Sequence, residues 1–318
     1  MTLTLLLTSL FVILVFPGFL FLSFFGLAVE FVDRKLYALM QNRIGPPWFQ
    51  PFADLIKLAA KEDLIPAEAD KPIFKVMPIL AAAAVLTAFL HIPLWSAKPI
   101  VSFPGSLIVV VYLLTIPTLT FFLAGWYSTS LYSALGAVRT LTQLFAYEVP
   151  LLLAVLAPAV LANTWSLGEM TAFYGQHPVY TLFNLIGFAV ALVALQGKLE
   201  RVPFDIPEAE TEIVGGTFTE YSGRLLGMFR LTVDMEAVTG CSLLAAVFLP
   251  FGFEVGPLPG FLLYLIKVLF VLALLSLLRT VTARLRIDQM VAFCWKWLAP
   301  AALLQISISV ILSGVLMS

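Results

Sequence analysis

Charged residues are scarce in this chain. Only 12% of its 318 residues are charged, whereas 61% are hydrophobic, and the mean hydropathy is +1.01. A soluble protein of this length needs far more polar surface, so the composition excludes the soluble classes and indicates a membrane protein. The net charge of −1 provides no basic face. We therefore expect no nucleic acid among its partners.

Groups that hold metals or perform covalent catalysis are also scarce. There are two cysteines, Cys241 and Cys294, and two histidines, His91 and His177. Their spacing matches no zinc, haem or iron–sulfur site, and neither histidine has an assignable Ser or Cys partner. The glycines at 215–223 follow no predicted strand, so they do not form a nucleotide-binding loop. We expect no metal, cofactor or redox centre on this chain.

What the chain has instead is a series of long apolar segments. A bilayer core about 30 Å thick requires roughly 20 apolar residues per helix. The first segment lacks the charged region and cleavage site of a signal peptide, which predicts a retained membrane helix. We predict an all-α polytopic membrane protein, a single domain over residues 1–318, with eight spanning helices at 4–29, 73–93, 106–126, 132–161, 179–198, 232–252, 259–279 and 293–316.

The Lys and Arg residues are distributed unequally among the loops. Fourteen lie in loops one, five and seven, whereas Lys98 is alone in loops two, four and six. Because Lys and Arg are enriched in cytoplasmic loops, the odd-numbered loops are predicted to face the cytoplasm. Both termini then lie on the outer side of the plasma membrane.

Loop one, at 30–72, contains a segment with a different pattern. Residues 51–65 place most of their apolar side chains on one helical face and their charged side chains away from it. That pattern is typical of an interfacial amphipathic helix, and the segment is too short and too charged to span a bilayer. At the start of the loop, Glu30, Asp33 and Arg34 have the pattern of ordinary cytoplasmic flanks.

Loop five, at 198–231, holds a high density of acidic residues. Pro203 and Pro207 prevent a regular helix through its first part. Closely spaced carboxylates in a partly dry setting raise one another's pKa values, which suits them to carrying protons. The alternative is a hydrated loop that merely prefers charge. The candidate residues are Asp205, Glu208, Glu210, Glu212 and Glu220, with Arg201 and Arg224 beside them.

Ionisable residues also fall within the predicted spans, where a charge at the bilayer centre costs at least about 2.5 kcal/mol. Arg139 and Glu148 are about 13 Å apart along one helix, so each requires its own partner. Glu148 lies beside a proline, where a bend would leave room for water, and is a candidate for ion transport. Lys267 fits a structural ion pair as well as a role in transport. Asp234 and Glu236 are predicted to lie at the interface and extend toward water.

Four stretches resemble, in order along the chain, the H-subunit family, which provides a membrane subunit of respiratory complex I. The acidic loop has the sequence ERVPFDIPEAETEIVGGTFTEYSG, a motif specific to that family. The other stretches are RIGPPWFQPFADLIKLAAKEDLIPAEADK, QLFAYEVP and RLRIDQMVAFCWKWLAP. The resemblance covers most of the chain.

The resemblance implies a subunit that docks beneath a cytoplasmic redox module and forms much of a quinone chamber with it. It also implies that an acidic chain toward antiporter-like subunits begins here, and that the helix at 51–65 lies at the chamber entrance. Together with the charged positions above, it assigns Glu148, Asp205, Glu208, Glu210, Glu212, Glu220, Asp234, Arg139 and Lys267 to the proton path, and Arg34, Arg43, Arg201 and Arg224 to the chamber or to docking.

At two places the sequence departs from the complex I pattern, and these departures indicate which subfamily it resembles. Complex I members commonly have a Gly-rich insertion after this point of loop one, whereas here RIGPP passes directly into the amphipathic segment. The shorter form is similar to the related subunits of membrane-bound hydrogenases and archaeal sulfur-reducing complexes. In FRLTVDMEAV, Asp234 lies one position after the family's acidic residue. Both departures argue against a quinone in the chamber.

We therefore predict a subunit that anchors a nickel–iron hydrogenase-like module and couples its electron transfer to proton or sodium translocation. The expected partners are hydrogenase-like large and small subunits, a ferredoxin-like iron–sulfur subunit, antiporter-like membrane subunits and the lipid bilayer. Iron–sulfur clusters, and nickel–iron in the hydrogenase type, would belong to those partners. The alternatives are a quinone- or methanophenazine-chamber subunit of a complex I-type dehydrogenase, and a purely structural anchor. The sequence has no visible inverted repeat, which argues against a free-standing transporter.

Overall fold

The computed structural model describes residues 2–253 and 256–317, and within them the side chains at 4–209, 212–253 and 256–314. That part of the chain forms helices and loops, without a strand. A 3₁₀ turn covers Gly216–Phe218, and a π-helical turn, Cys294–Leu298, joins the last two helices. The helices are α1 (Thr2–Leu14), α2 (Phe19–Met40), α3 (Gln50–Ala60), α4 (Lys71–Leu90), α5 (Ser106–Trp126), α6 (Leu131–Ala162), α7 (Leu167–Gln176), α8 (Pro178–Leu182), α9 (Leu185–Lys198), α10 (Glu210–Ile213), α11 (Gly223–Phe248), α12 (Pro257–Val281), α13 (Ile287–Phe293) and α14 (Ala299–Met317).

The long helices match the predicted membrane spans. Seven helical stretches in the described ranges are long and apolar enough to cross a membrane, and α9 adds a shorter apolar helix. The longest single helix, α6, runs through both Pro150 and Pro158. The all-α polytopic fold is confirmed, whereas a single domain over 1–318 stays a prediction.

The first predicted span, 4–29, is not one continuous helix. It is interrupted between α1 and α2, where Pro17 has no backbone N–H to continue the helical hydrogen bonds. A Cβ on Gly18 would lie 1.9 Å from the carbonyl oxygen of Ile13, so the chain turns there at a position that only glycine fits. The hydropathy pattern did not detect this break, because both sides of it are equally apolar.

The same span also extends further than predicted. α2 continues to Met40, through residues that were assigned to loop one. The prediction that Glu30, Asp33 and Arg34 are ordinary cytoplasmic flanks is wrong for the two acids, which meet Arg201 of loop five inside the bundle, whereas the Arg34 side chain is 41% exposed. Asp33 is fully buried. Because ion pairs compensate these charges, α2 continues through the charged residues instead of ending at them.

The fifth predicted span is divided into α8 and α9 by a break at Phe183 and Asn184. Backbone groups in a bilayer require a partner inside the protein. Gln305 of α14 supplies one, because its Nε2 donates to the Phe183 carbonyl at 2.9 Å and its Oε1 accepts from the Gly187 N–H at 3.3 Å. The side chain of one helix thereby stabilises the interruption of another.

Helix α11 lies at the centre of the bundle. It packs against α2, α3, α4, α9 and α12 and is buried along nearly its whole length. Small residues allow this close packing, since a Cβ on Gly240 would lie 2.5 Å from Cδ1 of Leu195. The helix begins at Gly223, nine residues before the predicted span, so Arg224 and Arg230 of loop five are helical.

The remainder of loop five folds back against the bundle. Ile206, Ile213 and Phe218 are buried, whereas the only regular helix in its described part is the four-residue α10. Gly216 has a φ of +55°, and a Cβ there would lie 1.9 Å from the carbonyl oxygen of Pro207. This close contact between two parts of the loop gives it a compact shape. Most apolar side chains of the loop are thus buried against the bundle, whereas its described carboxylates are half-buried or exposed.

The amphipathic segment forms α3, with Pro51 in its first turn as expected. It ends at Ala60 rather than at residue 65. α3 packs against α2 and α11, and Ile56 on its other side is 68% exposed. An exposed apolar side chain on a helix that also carries Lys57 is typical of a helix lying at the membrane interface.

Candidate functional site

A cavity of about 500 Å³ lies where loop five meets α2, α3, α11 and the end of α12. More than half of the residues that line it are ionisable, and leucines of α2 and α3 supply an apolar part of its wall. We call this cavity the chamber. Its ionisable residues are Glu30, Arg34, Asp54, Glu200, Arg201, Asp205, Glu208, Arg230, Asp234, Arg279 and Arg284.

Most of the chamber's carboxylates are paired with an arginine. Arg34 contacts Glu30 at 2.5 Å and Asp54 at 3.3 Å, joining α2 to α3. The other pairs are Arg201 with Glu30, at 3.4 Å, Arg230 with Glu208, at 3.2 Å, and Arg284 with Asp205. The described residues of the wall include five arginines and six carboxyl groups, so the chamber is strongly polar without a large net charge.

Beneath the chamber, Asp33 joins three parts of the chain. Its Oδ2 lies 3.1 Å from both Arg201 of loop five and Arg279 of α12, and its Oδ1 accepts a hydrogen bond from Ser276 at 2.5 Å. The guanidinium of Arg279 also stacks on the Tyr37 ring at 4.3 Å. A buried carboxylate that accepts two hydrogen bonds, from Ser276 and Arg279, and pairs with a second guanidinium is well compensated, and it holds Arg201 in the chamber wall.

Five of the predicted site residues come together in the chamber wall. Their chain positions differ by up to 200 residues, and they come from α2, loop five and α11. The structure therefore supports grouping them in one site, while their roles stay predictions. They are Arg34, Arg201, Asp205, Glu208 and Asp234.

Other predicted residues lie outside the chamber. Arg43 is exposed, and Glu220 is half-buried away from the chamber lining. Arg224 contacts Asp63 of loop one at 2.9 Å. Although partial burial favours the neutral form of Asp63, the hydrogen bonds and charge of Arg224 hold the pKa of this carboxyl below its usual value. The side chain of Glu210 lies outside the described part.

Arg139 finds its partner in loop five. Its Nη1 lies 2.6 Å from Glu212 and 3.4 Å from the carbonyl oxygen of Ile206. As predicted, it does not pair with Glu148 of the same helix. The Arg139–Glu212 pair lines a neighbouring pocket of about 300 Å³, and Arg284 lines both this pocket and the chamber.

A second, smaller space of about 30 Å³ adjoins the chamber on the side of the bundle, and five residues, Glu200 and Glu208 among them, line both spaces. Its inner wall contains Lys198 and Glu236, whose charged groups lie 3.2 Å apart with side chains 1% and 2% exposed. The prediction that Glu236 extends toward water is wrong, because α9 and α11 enclose it. Lys198 also donates to the Leu114 carbonyl. Sequence alone does not reveal this ion pair between two helices.

Glu148 lies near this pair on α6. Its Oε2 is buried and has no hydrogen-bond partner in the described part of the chain. The charge of Lys198 is close enough to act on it. The neighbouring Tyr147 is buried, with its ring 5.7 Å from the Lys198 ammonium and its hydroxyl 3.0 Å from Thr118. An unpaired carboxylate beside a buried lysine is suited to exchanging a proton.

The structure also adds Glu200 to the site. This carboxyl lines both the chamber and the smaller space. Burial raises its pKa well above the usual value, and the carboxylates of Glu208 and Glu236 add to that effect. It was missed because it precedes the prolines that drew attention to loop five, although it belongs to the same ERVPFD motif.

Lys267 is not part of this site. It is 4% exposed within α12, donates to the Phe251 carbonyl, and lies 4.6 Å and 4.2 Å from the rings of Phe251 and Phe253. These contacts are at the opposite end of α11 from the chamber. In the ranges 2–253 and 256–317, no group of three His, Cys, Asp or Glu residues is arranged to hold a metal ion.

Known proteins share both the sequence and the fold. The family model described as NADH dehydrogenase matches residues 11–310. The chain is 36% identical to the H subunit of NADH-quinone oxidoreductase from Dehalococcoides mccartyi (strain ATCC BAA-2266 / KCTC 15142 / 195) over 297 residues, which are 92% of this chain and 83% of that protein. It is 38% identical to the H subunit from Syntrophotalea carbinolica over 87% of this chain and 88% of that protein. The chain belongs to this H-subunit family.

A solved member of a related complex agrees with this assignment. The structure of the membrane-bound sulfane sulfur reductase, described as an archaeal respiratory membrane complex, contains a chain with a TM-score of 0.81 and 28% identity. The match covers 91% of this chain and 96% of that one. Membership of the H-subunit family makes this protein a multi-pass membrane component of a complex I-like respiratory complex, and it therefore has partner subunits.

Proposed function

We propose that this chain anchors a cytoplasmic redox module at the plasma membrane and couples its electron transfer to proton or sodium translocation. The observation that carries the proposal is the series of ionisable groups from the chamber to Glu148. Loop five supplies Glu208, the smaller space leads to the Lys198–Glu236 pair, and Glu148 follows on α6. Such a series connects the chamber end of the bundle to its interior.

Charge within this series provides the coupling. A buried ion pair such as Lys198–Glu236 is stable only while both charges are present, because removing one leaves the other uncompensated. A change of charge in the chamber during electron transfer therefore alters the proton affinity of Glu236 and, through Lys198, of Glu148. The redox chemistry takes place in a partner, and this chain moves the ion.

We assign the complex to the hydrogenase or sulfur-reductase type. Three observations support this choice: the direct passage from RIGPP to α3, the mainly ionisable chamber wall, and the similarity to a chain of the sulfane sulfur reductase complex. The partners would then be hydrogenase-like large and small subunits, a ferredoxin-like iron–sulfur subunit and antiporter-like membrane subunits. Their iron–sulfur clusters, and nickel–iron in the hydrogenase type, would receive and deliver the electrons.

A second candidate is the quinone-chamber subunit of a complex I-type dehydrogenase. The relatives of 36% and 38% identity are named as parts of an NADH-quinone oxidoreductase. Leu27, Leu55 and Leu58 would offer an apolar surface to a quinone tail. Quinone that co-purifies with the complex, or a quinone analogue crosslinked to α3, would favour this candidate. Cysteines for nickel in the co-purifying large subunit would favour the hydrogenase type.

The coupling is tested by Glu148→Gln in the assembled complex, with Glu68→Gln as the control. Glu68 is exposed in loop one and makes no ion pair with a described residue. Gln keeps the shape of Glu148 and cannot exchange a proton, so we expect ions pumped per electron to fall at least tenfold while assembly is retained. The measurement is ion uptake by vesicles alongside electron transfer. Unchanged pumping per electron would leave only the anchor function.

A further inference from the structure

Glu200 has an unusual position between α9 and the rest of loop five. Its φ is +50°, in the left-handed region that long side chains seldom adopt, and residues held there tend to serve a function. Its Oε1 is buried without a hydrogen-bond partner in the described part of the chain. The backbone therefore holds a carboxyl that forms no ion pair with a described residue, although Thr140 and Arg230 lie close enough to favour its charged form in part.

The surroundings of Glu200 distinguish it from the other acids of the chamber. Glu30, Asp54, Asp205 and Glu208 each contact an arginine, whereas Glu200 and Asp234 form no ion pair with a described residue. Of these two, Glu200 also lines the smaller space that reaches Lys198 and Glu236.

The charged groups that face Glu200 come from three elements. Glu208 belongs to loop five, Lys198 ends α9, and Arg230 and Glu236 belong to α11. Two carboxylates thus lie near it, one on the chamber side and one on the inner side. A carboxyl between two others is in the position of a carrier.

We propose that Glu200 transfers protons from the chamber to the buried Lys198–Glu236 pair. The inference rests on the proposed function, since it names a carrier within that coupling path. Burial raises the pKa of Glu200 and the carboxylates of Glu208 and Glu236 raise it further, so its surroundings favour the protonated carboxyl.

The transfer is balanced without an oxidant or reductant. A protonated water of the chamber gives its proton to the Glu200 carboxylate, breaking one O–H bond and forming another. Rotation of the Glu200 side chain, or a water in the smaller space, then passes the proton to the Glu236 carboxylate, again with one O–H bond broken and one formed. Lys198 is left with a neutral partner, and its charge then acts chiefly on Glu148.

The experiment compares Glu200→Gln and Glu200→Asp in the intact complex, with Glu68→Gln as the control. The readouts are electron transfer, protons pumped per electron and the pH profile of pumping. We expect Glu200→Gln to lower the proton ratio at least fivefold while electron transfer stays within twofold. Glu200→Asp keeps a carboxyl and suits a positive φ, so it should restore at least half of the ratio and shift the pH profile.

Normal pumping by Glu200→Gln would overturn the assignment. If Glu148→Gln fails to pump in the same assay, the proposed function still stands. If both variants pump normally, the role of Glu200 and the proposed function are both refuted.

If Glu200→Gln does not assemble, a labelling experiment on the native complex provides the test. An apolar carbodiimide, which reacts with protonated carboxyls, should label Glu200 and reduce pumping in proportion to the label measured by mass spectrometry. Absence of label at Glu200 would contradict its role.

Discussion

At the scale of single residues, Asp33 illustrates how a charge becomes part of the interior. Its carboxylate is fully buried in α2 yet contacts Arg201, Arg279 and Ser276, so the donors around it replace the water it has lost. Because these donors belong to loop five and α12, Asp33 holds the chamber wall to the membrane bundle.

Asp33→Asn is therefore expected to destabilise the protein strongly. The amide retains the size of the side chain but leaves Arg201 and Arg279 without their shared negative charge, which should cost about 3–5 kcal/mol. The measurement is thermal unfolding of the purified complex in lipid nanodiscs, followed by helical circular dichroism. The exposed Glu68→Gln should stay within about 0.5 kcal/mol of the wild type. A similarly small effect of Asp33→Asn would contradict the network.

Residue pairing is also where the sequence was least informative. The acids and arginines of loop five stood out as a group, but Asp33 and Arg201 are far apart in the chain, as are Lys198 and Glu236. Nothing local indicates which opposite charge each residue meets. The hypothesis that Arg139 and Glu148 each need their own partner was sound for Arg139, which contacts Glu212, whereas no described residue makes a hydrogen bond to the buried oxygen of Glu148.

At the scale of elements, the conformation of loop five depends on two backbone contacts at glycines, where a Cβ atom would not fit. Its 3₁₀ turn begins at Gly216, which touches the carbonyl oxygen of Pro207. On the opposite side the turn packs against α6 at Gly136, where a Cβ would lie 2.6 Å from the nitrogen of Thr217. The two glycines together fix the loop against the membrane bundle.

Gly216→Ala is expected to disrupt loop five. The added Cβ would overlap the Pro207 carbonyl, and alanine disfavours the φ of +55°, so we expect a loss of more than about 3 kcal/mol and failure to assemble. Gly215→Ala is the matched control, because the nearest atoms to its Cβ are 3.5 Å away and its φ is −120°. Co-purification of the partner subunits measures both. Equal yields from the two variants would refute this account.

The elements were predicted well in their apolar parts and poorly at their ends. Hydropathy located α4, α5, α6 and α12 to within a few residues, because a run of about 20 apolar residues has the length and composition of a membrane-spanning helix. It ended the first span too early and began α11 too late, because charged residues of a helix were taken as loop. Charges that are satisfied inside a protein do not end a helix, and hydropathy cannot detect that compensation.

At the scale of the whole molecule, the distribution of Lys and Arg predicts which face meets the cytoplasm. The chamber, loop five and α3 lie at the end of the bundle that carries most of these residues. A redox module docked there would be cytoplasmic, in agreement with the proposed function. The orientation itself stays a prediction.

Cysteine labelling tests the orientation. Glu68→Cys in loop one and Lys98→Cys in loop two introduce exposed thiols at opposite ends of the bundle, whereas the native Cys241 and Cys294 are buried. A membrane-impermeant maleimide should label residue 68 only in inside-out vesicles and residue 98 only in right-side-out vesicles. The reverse pattern would place the chamber outside and exclude a cytoplasmic partner.

Helix α11 carries Arg230 and Asp234 in the chamber wall and Glu236 against Lys198. One turn of helix contains 3.6 residues, so a single inserted or deleted residue between positions 230 and 236 would rotate one group relative to the other by about 100°. No compensating substitution elsewhere restores such a rotation. Among homologues, the number of residues in this interval should therefore be invariant, whereas loop one, which lies outside that helical register, is free to change in length.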